Sequence, residues 1–526
     1  MSNPSPENED LFNQMIHDIL SKVPEANRRF YNNLPKISDK IENDEKLQLD
    51  LIEFIMMWCD FGDLLAVKTL INNFIFILSS HPSKNAMLSF LPLFREIITK
   101  CGSSILSELI KFTSKYKEIC GGKFIKKKVF PFISAFIDSD ENDVGSCSFS
   151  FLTHLIPEIG QENIQKLISI SYKLNKLNIP NSRLASIDSF PILVQYFNDD
   201  KKKYFNDIIS QSLNDAHYLI QTHSIKVASN HIDLITDSKI IMDLSSNPSW
   251  KVKLSLLEHI GVFIKAFKEF ENVLFQFARN KDEMPILREM AFYEIDLNFE
   301  NITNINEIFC CVDVALRQKD ENMVIAGLKL IPKIYMKNKE ITQSLQSLLS
   351  RFRTTKKENV QLYLLKYALP YTQVSQNEKE MGKRWLLAGF DSDDWAINDI
   401  AIDVIDYLLN CQINLDDFLT DDIFEKVTQM LNNSALNVRN RAAIVYVSYA
   451  KNRGWDFTRQ KIMPNIRNIA NNCSIPIFQS IIRVYIGLKA LGPPQDLKKE
   501  ITSVISKAKE KKEFIYMVRV KENKSK

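Results

Sequence analysis

One phrase recurs along this 526-residue chain at nearly constant intervals. An apolar stretch of helical period stops at Asn, Asp or Ser, and a β-branched or aliphatic residue then opens a second apolar stretch. The clearest copies are Asn247-Pro-Ser-Trp250-Lys-Val252-Lys253, Asn433-Ser-Ala-Leu-Asn-Val438-Arg439 and Asp140-Glu-Asn-Asp143-Val144. With the aliphatic residue as marker, the series runs Leu65, Ile105, Val144, Leu184, Ile220, Val252, Leu287, Val324, Val360, Ile397, Val438 and Ile477, at intervals of 32 to 41 residues. A period near this length is the signature of stacked helical hairpins. It predicts an all-α solenoid that grows one repeat at a time.

The apolar spacing supports helices on both sides of each turn. Val252 is followed by Leu256, Leu257, Ile260 and Ile264, Val438 by Ala442, Ala443, Tyr446 and Tyr449, and Ile397 by Ala401, Val404, Ile405 and Leu408. These series mark helices buried along one face. The preceding helices carry matching stripes, such as Phe130, Ile133, Phe136 and Ile137, or Ile423, Val427, Met430 and Leu431. A lone hairpin of this kind leaves its apolar faces wet, and stacked neighbours cover them. At the turns, Asn, Asp and Ser favour non-helical angles and accept free N–H groups of the next helix; Ser249, after Pro248, is expected to cap its helix through its hydroxyl.

The pattern organises the chain as a disordered N-terminus over residues 1–10, a helical-repeat body over 11–508, and a basic tail over 509–526. The segment 162–235 is spaced irregularly, and Asn175–Asn181 reads as a longer connector with a bend or an atypical repeat.

Composition narrows the function. Glycine is scarce, 13 residues, against folds that cradle nucleotides on Gly-rich turns. The net charge is +3, too small to build a global field for nucleic acid. None of the eight cysteines forms a CxxC pair, so they read as small buried hydrophobes of a reducing compartment, Cys310 and Cys411 among them. The polar, acidic start is unlike a signal peptide, and no run approaches the roughly 18 apolar residues of a membrane helix. A cytosolic protein is expected, with the nucleus also open to it.

Sequence signatures of catalysis are missing. Phosphate loops, HExxH and GxSxG do not occur. Asp60-Phe-Gly62 lacks the other parts of a kinase, and no two of the seven histidines stand at ligand spacing. Asp391, Asp393 and Asp394 read as caps. The runs Lys123–Lys128 and Lys201–Lys203 are short and offset by nearby acids. No enzyme activity, cofactor, metal or small-molecule substrate is expected.

Paired helices of this length, Asp or Asn in the turn, and Val followed by Arg or Lys opening the second helix resemble HEAT repeats. The family's Asp-to-Arg spacing, which builds a ladder between neighbouring repeats, is matched by Asp282 with Arg288, and with Asn in place of Asp by Asn433 with Arg439 and Asn247 with Lys253. The fold class implied is a superhelical α-solenoid of about 13 HEAT-type hairpins. Trp250-Lys-Val-Lys253 and Ile286-Leu-Arg-Glu-Met-Ala291 are similar to turns of the scaffolding A subunits of protein phosphatase 2A. That resemblance implies a non-catalytic scaffold holding a Ser/Thr protein phosphatase catalytic subunit and a regulatory B-type subunit on the ridge of turns. It marks Trp250, Lys251, Lys253, Arg288, Trp395, Arg439 and Arg441 as partner-binding candidates; for the three arginines the ladder is the competing role. Two other readings stand beside it: a transport carrier or adaptor-like solenoid, and a chromosome- or RNA-associated HEAT protein.

Overall fold

The computed structural model describes residues 121–137, 144–196, 201–339, 355–372, 375–411 and 419–510, together with isolated positions elsewhere. The markers Leu65 and Ile105, the N-terminal segment and nearly all of the basic tail lie outside the described residues. The chain divides into two compact units, Met1–Phe267 and Lys268–Lys526. Among the described residues there is no strand.

In the first unit a π-helical segment, Ile125–Val129, runs into the short helix Phe130–Ser134. There follow α1 (Val144–His154), α2 (Gln161–Asn175), α3 (Pro180–Leu193), α4 (Lys201–Leu213), α5 (Tyr218–Asn230) and α6 (Trp250–Ala266). The second unit holds α7 (Phe270–Arg279), α8 (Pro285–Leu297), α9 (Ile305–Leu316), α10 (Glu321–Lys337), α11 (Glu358–Tyr367), α12 (Gln376–Phe390), α13 (Trp395–Asn410), α14 (Asp421–Met430), α15 (Leu436–Phe457), α16 (Met463–Asn472), α17 (Ile475–Ala490) and α18 (Gln495–Glu510).

Every marker within the described residues opens the second helix of a hairpin, most often as its third residue. Eight of them, Val144, Ile220, Val252, Leu287, Val324, Val360, Ile397 and Val438, are buried. The physical reason is geometric. A residue at that position points into the seam between its own hairpin and the next, where neighbouring hairpins cover it.

Second helices pack on second helices within each unit: α1 on α3, α3 on α5 and α5 on α6 in the first; α8, α10, α11, α13, α15 and α17 in succession in the second. First helices form their own layer, with α2 against α4, α7 against α9, and α12 against α14. The core between the layers is continuous in the second unit from Leu362 to Ala508. This is an all-α solenoid of helical hairpins.

Two irregularities have local causes. The connector expected at Asn175–Asn181 is shorter than its composition suggests: Asn175 is still helical, its buried amide donates to Gln211 at 3.1 Å, and α3 already begins at Pro180. The short interval between Ile220 and Val252 arises because the intervening first helix shrinks to Lys239–Asp243 and a 3-10 turn, Leu244–Ser246. In α15 the regular helix breaks at Gly454, whose φ of +80° is a conformation that L side chains rarely adopt. Among the cysteines, Cys147 and Cys311 are buried as expected, whereas Cys310 is exposed. No helix among the described residues is long and apolar enough to cross a membrane.

Candidate functional site: the turn edge and the second-helix layer

The recurring Asn or Asp does more than end a helix. Its side-chain oxygen accepts the backbone N–H two residues on, closing an Asx turn that aims the chain into the second helix. Asp215 accepts from His217 at 2.8 Å, Asn247 from Ser249 at 2.9 Å, Asp320 from Asn322 at 2.8 Å, Asp394 from Ala396 at 2.8 Å and Asn433 from Ala435 at 2.9 Å. Ser249, expected to cap through its hydroxyl, makes no such bond; Asn247 takes that part.

The same turn residues reach back to the preceding repeat. Asp215 pairs with Arg183 Nε at 2.7 Å. Asn247 donates to Gln221 Oε1 at 3.3 Å, and Asn433 to Asn398 Oδ1 at 3.2 Å. Asp320 faces Arg288, whose burial pulls its pKa below the ordinary value while the Asp320 charge opposes that pull. Most of the inward partners sit just after a marker and hold carbonyls of their own turn. Gln221 donates to Leu213 O at 2.9 Å, Arg439 to Asn433 O and Ser434 O at 2.7 and 2.6 Å, and Asn398 to the carbonyls of Gly389, Phe390 and Ser392. A ladder between repeats therefore exists in both units, with neutral Asn and Gln rungs alongside the Asp–Arg kind.

The predicted positions separate into three groups. Trp250 and Trp395 open α6 and α13 at 40% and 52% exposure, outward from the edge. Lys251 is exposed and leans over the Tyr218 ring at 4.4 Å, donating to its hydroxyl at 3.2 Å. Lys253 is half-buried in the first turn of α6. Arg288 and Arg439, by contrast, are 5% and 6% exposed, under the edge rather than on it. Arg441 turns to the second-helix layer, where it binds Asp399 at 2.7 Å and Asp403 at 2.9 Å on α13.

That layer holds residues the spacing of single turns does not reveal. Lys366 on α11 also binds Asp403, at 2.5 Å, and its ammonium lies over the rings of Tyr367 and Tyr407. Lys366, Asp403 and Arg441 thus link three consecutive repeats. Ser448 extends the line by donating to Asp406 at 2.6 Å, and the hydroxyls of Tyr371 and Tyr407 bond to each other. Opposite charges one period apart in sequence, 37 residues for Lys366 and Asp403, were the available signal.

Trp395 has company along the edge. Leu436 and Ile475, the opening residues of the next two second helices, are 50% and 52% exposed. Exposed large apolar residues at one place in consecutive repeats form a row suited to protein contact.

Neither a family model nor a curated protein matches the sequence. Solved structures do match in fold. A structure of Kap95p binding to RanGDP shares 10% identity with this chain, covers 98% of it and is itself covered to 71%, with a TM-score of 0.68. Yeast importin-beta (Kap95p) matches at 10% identity over 97% of this chain and 71% of its own, with a TM-score of 0.66. Kap121p bound to Nup53p matches at 11% identity over 98% of this chain and 56% of its own, with a TM-score of 0.56. The fold is that of HEAT-repeat solenoids, as the turn phrase implied. At 10–11% identity these likenesses show the fold.

Proposed function

We propose that this chain is a non-catalytic solenoid of the transport-carrier kind, binding folded or extended protein partners through its turn edge and second-helix layer. The observation that carries the reading is the likeness to Kap95p along 98% of this chain, which extends through both units rather than to one motif. The surface chemistry agrees with it. Trp395, Leu436 and Ile475 offer apolar anchors, and the ordered ion line of Lys366, Asp403 and Arg441 gives a preformed polar face beside them. A carrier of this design works by complementarity alone, so the chain needs no reacting group. Arg288 and Arg439 lie buried beneath the edge, Arg439 bracing the carbonyls of its own turn, and Trp250, Lys251 and Trp395 remain the contact candidates among the residues marked on the sequence.

The neighbours supply the probes. Kap95p is described binding RanGDP, and Kap121p bound to Nup53p. The purified chain is expected to retain Ran or a nucleoporin such as Nup53p on an affinity column. A chain that stays folded, retains neither, and instead co-purifies with a metallophosphatase catalytic chain would return the scaffold reading to first place.

A further inference from the structure

The first-helix layer treats its cations in two ways. In the second unit five of them pair with acids of an adjacent repeat, while Lys498 and Lys499 on α18 stand exposed without an ion pair among the described residues. Arg279 binds Glu307 at 2.6 Å, Lys383 binds Asp422 at 2.7 Å, Lys461 binds Asp421 at 3.1 Å, Arg459 binds Asp496 at 2.8 Å and Arg467 binds Glu500 at 2.6 Å. In the first unit the π-helical segment Ile125–Val129 presents Lys126 and Lys127 exposed, and neither side-chain amine has an ion pair or hydrogen bond among the described residues. Short π-helical segments are rare and tend to fall at functional sites. The one at Thr458–Ile462 carries Arg459 and Lys461, both paired; this one leaves its amines open.

These amines border a groove. It lies between Ile125–Ser134 and α2, with a volume of about 850 Å³. Phe130, Pro131 and Ile170 supply apolar lining, Lys126, Lys127 and Lys166 the positive charge, and Glu162 a single carboxylate. Lys166 has a partner in Glu162 at 3.1 Å, but both side chains are mostly exposed, so the pair is weak and exchangeable. Gly160, at φ +81°, makes room for the arrangement: the Lys126 amine comes within 3.2 Å of where a β-carbon at that position would stand.

We infer that this groove is a docking site for an acidic peptide segment, one apolar side chain seated against Pro131 and Ile170 and flanking carboxylates on Lys126, Lys127 and Lys166. Charge complementarity points to this occupant: three amines border an apolar recess whose one carboxylate, Glu162, is already shared with Lys166, so Lys126 and Lys127 take their counter-charges from outside. Nucleic acid fits poorly, since Phe130, the aromatic of the lining, is 5% exposed and closed to a base, and three amines make a short footprint. A lipid surface fits poorly because the apolar residues line a recess and do not project. The site lies on the first-helix side of the first unit and is independent of the carrier reading.

The test is fluorescence anisotropy on the full chain. The probe is a short labelled peptide of alternating Glu and Leu with a central Phe, compared with the same peptide carrying Lys at every Glu. The acidic probe is expected to bind, to weaken with added salt, and to lose roughly tenfold in affinity in the K126E/K127E variant. K128E, on the same segment but off the lining, should bind as the parent does. Should the charge reversal melt early, K126Q/K127Q replaces it, with a smaller loss in the same direction. The inference is overturned if the acidic probe does not bind, if both probes bind alike, or if the lysine variants leave affinity unchanged. It is also overturned if a single-stranded oligonucleotide or a phosphatidylserine vesicle binds more tightly with the same lysine dependence.

Discussion

The side-chain amide of Asn433 donates to Oδ1 of Asn398, one repeat earlier, at 3.2 Å, while Asn398 spends its own amide on the carbonyls of Gly389, Phe390 and Ser392. Asn398 is 4% exposed, so nothing from solvent substitutes for these bonds. Asn398→Ala should cost about 2–3 kcal/mol, the penalty of leaving buried polar groups unpaired. Asn398→Asp should cost more, because a carboxylate would face carbonyl oxygens. Chemical denaturation with the midpoint compared at fixed slope measures both; a midpoint equal to that of the parent in Asn398→Ala would remove the rung from the account.

Gly487 on α17 packs so closely on α15 that an added β-carbon would meet Val447 Cγ2 at 2.3 Å. Gly487→Ala gains helix propensity yet forces the two helices apart, and should destabilise by about 1–3 kcal/mol. Val447→Ala in the same chain should recover most of that loss. Thermal melts of the single and double variants decide it: a double variant no better than Gly487→Ala would mean the clash lies elsewhere.

His223 on α5 and Asp188 on α3 meet at 2.8 Å on the exposed side of the first unit. The bond to Asp188 holds the imidazolium and raises the His223 pKa above its usual 6.5. A pKa raised in the folded state stabilises fully below the unfolded value and is lost as pH rises through the folded one. The contribution is therefore present in mild acid and fades from about pH 6.5 upward. NMR titration should place the His223 midpoint above that of the Asp188→Asn variant. Equal midpoints would mean the pair does not persist in solution.

Lys366 and Arg441 share the carboxylate of Asp403. Removing either leaves the other to hold it, so the two substitutions should not add. Arg441→Met alone should cost under about 1 kcal/mol at its half-exposed position. Lys366→Met with Arg441→Met should exceed the sum of the singles by roughly 0.5 kcal/mol or more. Simple additivity would show that the three residues do not act as one line.

Trp395→Ala should leave the melting temperature nearly unchanged, since the ring is half exposed and off the core stripe. If the turn edge binds protein, the same variant should lower affinity for whichever partner the column retains by tenfold or more. Full retention of binding in Trp395→Ala and in Trp250→Ala would move the contact surface away from this edge.

The hairpins were readable because their turns repeat a local chemistry: Asn247 and Asn433 announce themselves within a few residues of Val252 and Val438. The bonds between repeats were less readable because they depend on the phase of each helix. Arg439 and Arg441 stand two residues apart and look alike in sequence. Two steps along an α-helix rotate a side chain by roughly 200°. One therefore turns under the edge to Asn433 O and Ser434 O, and the other turns to Asp399 and Asp403 on the second-helix layer. The Trp-Lys-Val-Lys turn at 250–253 suggested one particular scaffold, yet such a turn follows from the Asx geometry of Asn247 that other turns of this solenoid share.

Between α13 and α15, neighbouring repeats are stitched on one flank by the uncharged amides of Asn398 and Asn433 and on the other by the ions of Arg441, Asp399 and Asp403. Dissolved electrolyte loosens the second seam and leaves the first intact. Like a strip of two metals warmed evenly, this stretch would answer a uniform change in its surroundings by bending, with the amide seam as the side that keeps its length.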